Sequence, residues 1–108
     1  MPSSLPAETM HDTISVALCT YNGARFLEQQ LASLEAQELR PDELVVCDDR
    51  STDNTVQMLE SFARTAPFPV RIHVNPVNLG STRNFDRAMR LLTERSAKLV
   101  IEIEGGES

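Results

Sequence analysis

Four short apolar runs alternate along this chain with three stretches in which apolar residues recur every third or fourth position. The runs are Ile14–Cys19, Glu43–Cys47, Val70–Val74 and Leu99–Ile103, each of strand length. The first two are almost continuously apolar, as in strands covered on both faces. Val70–Val74 instead alternates apolar and polar residues, which predicts a half-exposed strand near a sheet edge. Between the runs, Leu27, Leu31 and Leu34 mark the buried stripe of a helix over about Ala24–Ala36. Val56, Leu59, Phe62, Ala63 and Ala66 do the same for a helix over about Asp53–Ala66. Phe85, Ala88, Met89 and Leu92 line a third helix over about Thr82–Arg95. Pro41 and the Pro67-Phe68-Pro69 segment close the first two helices off from the strands that follow.

Three strand–helix units followed by a strand imply a parallel sheet with right-handed crossovers. The predicted class is therefore α/β, a Rossmann-like three-layer sandwich with strand order 3-2-1-4. That order centres the two most apolar strands. It also puts the ligand crevice where the order reverses, beside the carboxyl end of the first strand. Residues 1–12, with Pro2 and Pro6 among small polar residues, read as a disordered leader, and 13–108 as one domain.

The stretch Leu44-Val45-Val46-Cys47-Asp48-Asp49-Arg50-Ser51-Thr52-Asp53 carries the most chemistry. Two carboxylates follow a buried strand at the end where such sheets bind ligands. An ionised Asp49 can accept hydrogen bonds from a pyrimidine N–H or from ribose hydroxyls, and Asp48 can do the same or hold its own loop. The structural alternative for both is an Asx-turn and helix capping, but Ser51 or Thr52 suffices for capping. At least one acid is thus expected to bind ligand. A Mg²⁺ site made by the pair is disfavoured, because adjacent strand-end side chains point to opposite faces. Thr20, Tyr21 and Asn22 end the first strand on the same crevice. Tyr21 can stack on a planar base. Asn22 can cap the next helix, and Gly23 lets the chain turn there. Asn78-Leu79-Gly80-Ser81-Thr82-Arg83-Asn84 opens the third helix, where backbone N–H groups and Arg83 could meet a phosphate.

Composition narrows the partners. The 108 residues hold 16 acids and 10 bases, a net charge of −6, which argues against nucleic acid. Cys19 and Cys47 lie inside strands and lack close metal or redox spacing, so they read as reduced core thiols. His11 and His73 have no acid–nucleophile pattern around them and read as bystanders. No apolar run approaches the ~20 residues of a membrane span, and the leader lacks a signal-peptide pattern. A cytoplasmic location is expected, with membrane association through a partner left open. No nucleophile elbow, P-loop or zinc spacing is present, so the residues by themselves indicate nucleotide binding without naming a reaction.

Taken together, Val16–Gly23, Leu44–Thr55 and Asn78–Asn84 resemble the N-terminal half of family 2 glycosyltransferases with the GT-A fold. The resemblance covers about Ile14–Leu92 and is nearest in flavour to bacterial rhamnosyltransferase-like enzymes. It implies a nucleotide-diphosphate-sugar donor, UDP- or dTDP-linked, and inverting transfer of its sugar to a polysaccharide or lipid-linked acceptor. Positions matching Thr20, Tyr21 and Asn22 would line the base and ribose. The position matching Asp49 would contact the pyrimidine, with that of Asp48 beside it, and Arg83 would lie near the diphosphate. The resemblance also implies a divalent cation, Mg²⁺ or Mn²⁺, held by an Asp-x-Asp motif after the fourth strand. Here that strand ends Glu102-Ile103-Glu104-Gly105-Gly106-Glu107, and the metal ligands are not identifiable. The family usually has glycine where Arg50 stands; if the turn needs positive φ, arginine is strained there by about 1 kcal/mol. The expectation is a chain that carries the donor half alone, with little or no transferase activity. The competing reading is a non-enzymatic interaction or nucleotide-binding module that associates, with itself or a partner, through an exposed fourth strand. A phosphoacceptor receiver domain is set aside, because its acid pair would follow the first strand rather than the second.

Overall fold

A computed structural model describes residues 13–37, 40–93 and 97–104. The leader over 1–12, Leu39 of the loop before Pro41, and the tail from Gly105 lie outside the described residues. Strands β1 (Ile14–Tyr21), β2 (Glu43–Asp48), β3 (Val70–Val74) and β4 (Ala97–Glu104) alternate with helices α1 (Ala24–Ala36), α2 (Thr55–Thr65) and α3 (Ser81–Leu91). All pairings are parallel and the order is β3-β2-β1-β4. This is the α/β, Rossmann-like arrangement expected from the hydrophobic pattern, and it is consistent with a GT-A fold.

Strand alternation divides the core in two. Val16, Leu18, Leu44 and Val46 point to the face covered by α1 and α2, where they pack with Leu27, Leu31, Leu34 and Leu59. Ala17, Cys19, Val45 and Cys47 point to the other face and meet Ala88 and Leu92 at α3. Small residues on that second face let α3 lie close to the sheet. Two helices on one side and one on the other make the three layers.

The helix stripes are narrower than the sequence suggests. Only Thr55 and Leu59 are buried on α2, and only Asn84 and Ala88 on α3. Phe85, expected on the buried stripe, is 38% exposed. Its place is taken by Asn84, whose amide donates to the carbonyl of Cys47 at 2.9 Å. α3 also ends at Leu91, short of Arg95, and Leu92 is already extended. The chain is caught there by Glu43, whose Oε2 accepts from the N–H of Thr93 at 2.9 Å.

Helix starts differ from expectation as well. Asn22 does not cap α1, and neither Ser51 nor Thr52 caps α2; the N-caps are Gly23 and Asn54, without side-chain cap bonds. The turn-forming residue after β1 is Asn22, with φ 51°, while Gly23 has φ −104°. Glycine is required at 23 for another reason: a Cβ there would sit 2.5 Å from Cγ2 of Ile103. The first turn of α1 thus lies against the end of β4.

Candidate functional site

Thr20 and Asp48 are register partners on the central strands, so the loops leaving β1 and β2 start side by side. Hydrogen bonds then stitch them together. Thr20 Oγ1 donates to Asp48 Oδ1 at 2.6 Å, and the Asp49 N–H donates to the Thr20 carbonyl at 2.8 Å. Asn22 Oδ1 accepts from the Thr52 N–H at 2.7 Å, while the Asn22 N–H donates to Ser51 Oγ at 2.8 Å. Asp53 accepts from the N–H groups of Ala24 and Thr55, at 3.2 and 3.0 Å, and so fixes the starts of α1 and α2 together. Burial opposes ionisation of Asp53, but these donors outweigh it and hold its pKa below the usual value.

The acid pair forms the middle of this framework. Asp48 is fully buried; its carboxylate accepts from Thr20 Oγ1, from Ser51 Oγ at 2.6 Å and from the Ser51 N–H at 2.8 Å. Asp49, 3% exposed, turns the other way. Its Oδ1 accepts from the Leu79 N–H at 2.7 Å and from Asn75 Nδ2 at 2.9 Å, and its Oδ2 from the Gly80 N–H at 2.8 Å. Asp49 therefore anchors the loop that opens α3. With about four acceptor positions on a carboxylate, three are engaged and one on Oδ2 stays open. The two acids face opposite sides of the sheet, as strand alternation requires.

A buried polar relay backs Asp49. Asn75 is fully buried; its Nδ2 also donates to Asn84 Oδ1 at 2.8 Å, and its Oδ1 accepts from Arg87. Sequence reasoning missed Asn75 and Arg87, and read Asn84 only as the end of the stretch that opens α3. The available signal was the recurrence of asparagine at 75, 78 and 84 around a helix start. Arg50 has φ 67°, so the turn does need the left-handed conformation that glycine adopts freely. Its guanidinium donates to the Pro76 carbonyl at 3.0 Å. Gly80, with φ 91°, is a position where the left-handed backbone is met by glycine itself.

The six candidate residues separate into two groups. Thr20, Asn22 and Asp48 are engaged in holding the two loops, and Asp49 in holding the loop before α3. The side chains of Tyr21 and Arg83 make no hydrogen bond or ion pair among the described residues. Tyr21 is half-buried and ends β1, where alternation puts its side chain on the α3 face with Asp49. Arg83 is exposed in the first turn of α3. Tyr21, the open acceptor of Asp49 and the start of α3 thus belong to one side of the sheet's carboxyl edge.

The remaining candidates are structural. Cys19 and Cys47 are buried free thiols, and burial pushes Cys19 up to about 12, far from a reactive thiolate. His73 Nε2 is buried without a partner; burial, then Arg87 and Arg71, hold its pKa below the ordinary value. Among the described residues no group of three or more His, Cys, Asp or Glu is placed to hold a metal ion. Glu102 and Glu104 stand exposed near the end of β4. The described side chains therefore do not fit a cation site. No helix among them is long and apolar enough to cross a membrane.

A parallel sheet ordered 3-2-1-4, with joined strand-end loops and a helix start at its carboxyl edge, is a doubly wound α/β domain of the type that binds ligands at that edge. Residues 15–101 match the family model for glycosyl transferase family 2, and the chain belongs to that family. An abequosyltransferase of Salmonella typhimurium is 38% identical over 74 residues, 67% of this chain and 22% of that protein. A dTDP-rhamnosyl transferase of Shigella flexneri is 35% identical over 75 residues, 68% of this chain and 26% of the relative. A cholesterol galactosyltransferase of Borreliella burgdorferi is 27% identical over 95 residues, covering 88% and 25%. The chain spans about a quarter of the length of these relatives.

Proposed function

We propose that this chain supplies the donor-nucleotide site of a sugar transferase and binds a UDP- or dTDP-linked sugar. The observation that carries this reading is the joined pair of loops after β1 and β2, with Tyr21 unpaired at their rim. Tyr21 would lie against the pyrimidine, and the open Oδ2 position of Asp49 would accept one base N–H. Arg83, in the first turn of α3, would pair with the diphosphate beside the N–H groups of that turn. Thr20, Asn22 and Asp48 would shape the base and ribose pocket by holding the loops. Family membership supports glycosyl transfer as the reaction, with an acceptor hydroxyl of a polysaccharide or lipid-linked glycan displacing the nucleoside diphosphate with inversion. The name of the Shigella flexneri relative favours a dTDP-linked donor.

Titration calorimetry with UDP, dTDP and GDP tests the pocket. Heat with a pyrimidine diphosphate and none with GDP is the expected result. No heat with any of the three at millimolar ligand overturns the reading.

A further inference from the structure

The buried relay behind Asp49 runs in one direction only. At one end stands Arg87 of α3, whose guanidinium can donate and never accept. Asn75 Oδ1 accepts from it, so the Asn75 NH₂ group is left to face the other way. Its two protons go to Asp49 Oδ1 at 2.9 Å and to Asn84 Oδ1 at 2.8 Å. Asn84 must then give its own NH₂ to an acceptor, and it meets the Cys47 carbonyl at 2.9 Å. The Asn75 backbone N–H donates to the Asp48 carbonyl at 2.8 Å, which ties this residue to the end of β2. Neither amide can turn over without setting acceptor against acceptor or donor against donor. Arg87 at one end of the relay therefore dictates what Asp49 meets at the other.

Packing alone gives no reason for this arrangement. Asn75 is fully buried and Asn84 nearly so, and a buried amide costs free energy unless its hydrogen bonds are made. Arg87, half-buried, forms no ion pair among the described residues and aims its charge at a neutral amide. What a fully satisfied polar network adds over apolar packing is a fixed geometry. Here the fixed group is the Asp49 carboxylate. Its Oδ1 is taken by Asn75 and the Leu79 N–H, and its Oδ2 is held by the Gly80 N–H. The unused Oδ2 position is thereby kept in place as an acceptor. If that position meets the base, a ring nitrogen set against it must bring a proton. Uracil and thymine carry one on N3, whereas cytosine presents a bare lone pair there.

We propose that Arg87 and Asn75 are positioning residues that act through Asp49 and make the site select diphosphates of uridine or thymidine over those of cytidine. This inference rests on the donor-site reading above.

Calorimetry on the full chain with UDP and with CDP reads the choice. UDP should bind about tenfold or more tighter, since CDP sets two acceptors face to face. Arg87→Met removes the fixed end and lets the Asn75 amide turn, so the preference should fall to about threefold or less. Arg87→Lys, again a donor only, should restore it. A residue that merely supports the fold would weaken both nucleotides alike and leave their ratio unchanged. Circular dichroism checks folding; where Arg87→Met is unfolded, Arg87→Gln takes its place with the same fall expected, because its amide fits Asn75 either way round. A preference that survives in the variant, or that Arg87→Lys fails to restore, overturns the proposal while donor binding stands. So does equal binding of UDP and CDP by the unaltered chain. Absence of heat with either nucleotide overturns the donor-site reading itself, and the proposal with it.

Discussion

Replacing each acid of the pair by its amide separates their roles, although the two changes look identical on paper. Asp49→Asn turns one acceptor oxygen into an NH₂ group. The carboxylate now serves two backbone donors, Leu79 N–H and Gly80 N–H, one on each oxygen, and Asn75 Nδ2 as well. A backbone N–H cannot become an acceptor. Asn75 cannot turn over to help, because its Oδ1 takes Arg87 and its Nδ2 also serves Asn84. One orientation of the new amide therefore faces Gly80 N–H donor to donor, and the other faces two donors. Losing a hydrogen bond to a charged acceptor costs about 1.5–3 kcal/mol, and a buried donor left unpaired adds to it, giving roughly 2–4 kcal/mol. Asp48→Asn behaves otherwise. Its two Oδ1 partners are hydroxyls, Thr20 and Ser51, which can rotate to accept from the new NH₂, while Oδ2 keeps the Ser51 N–H. Removing a fully buried charge also relieves a desolvation cost. The expected loss is about 1 kcal/mol or less. Urea unfolding followed by circular dichroism reads both, and at about 4–8 °C per kcal/mol the melting points should separate clearly. Hydrogen exchange at the Leu79 and Gly80 amides should accelerate in Asp49→Asn and stay slow in Asp48→Asn. Equal losses, or a larger loss for Asp48→Asn, would refute the argument.

Other substitutions follow from single features. Arg50→Gly relieves a left-handed residue but gives up the Pro76 bond, so it should fall within about 1 kcal/mol of wild type; Arg50→Val, β-branched at φ 67°, should lose about 1–2 kcal/mol by thermal melting. Gly23→Ala presses a methyl group on Ile103 and should cost about 1–3 kcal/mol, read by the same melts; a neutral result would contradict the close approach of α1 to β4. Glu43 is opposed by burial, but bonds from Ser15, Thr93 and Arg71 outweigh it and hold its pKa at about 2 against an ordinary 4.5. Its contribution is thus complete above pH 4.5 and is lost as pH falls toward 2; Glu43→Gln should flatten stability across that window. Tyr21→Ala should weaken dTDP or UDP binding by about tenfold, from the loss of one base contact, and leave the melting point nearly unchanged.

The order and type of the elements were legible because burial periodicity is a local signal. Leu27, Leu31 and Leu34 declare a helix face, and Val45 to Cys47 a covered strand, whatever else the chain does. Strand order followed from which runs were apolar throughout. The acids at the end of β2 were likewise visible as a feature that a strand end must accommodate. Their long-range partners were not, because these are distant in sequence: Asp49 is held by backbone at 79 and 80, and Asp48, besides its local bonds from Ser51, by the hydroxyl of Thr20. The same limit misplaced the caps. Asn22 and Ser51 have the composition of capping residues, but each finds a donor or acceptor on the other's loop that local rules do not count. Phe85 and Asn84 exchanged roles because a polar relay beneath α3 needed an amide where the helical stripe offered an aromatic ring. What the chain determined by itself is a three-layer parallel α/β sheet with two acids at its carboxyl edge. Only the tertiary structure decided that those acids hold loops, since hydrogen-bond partners are set by proximity in space and periodicity reports only burial.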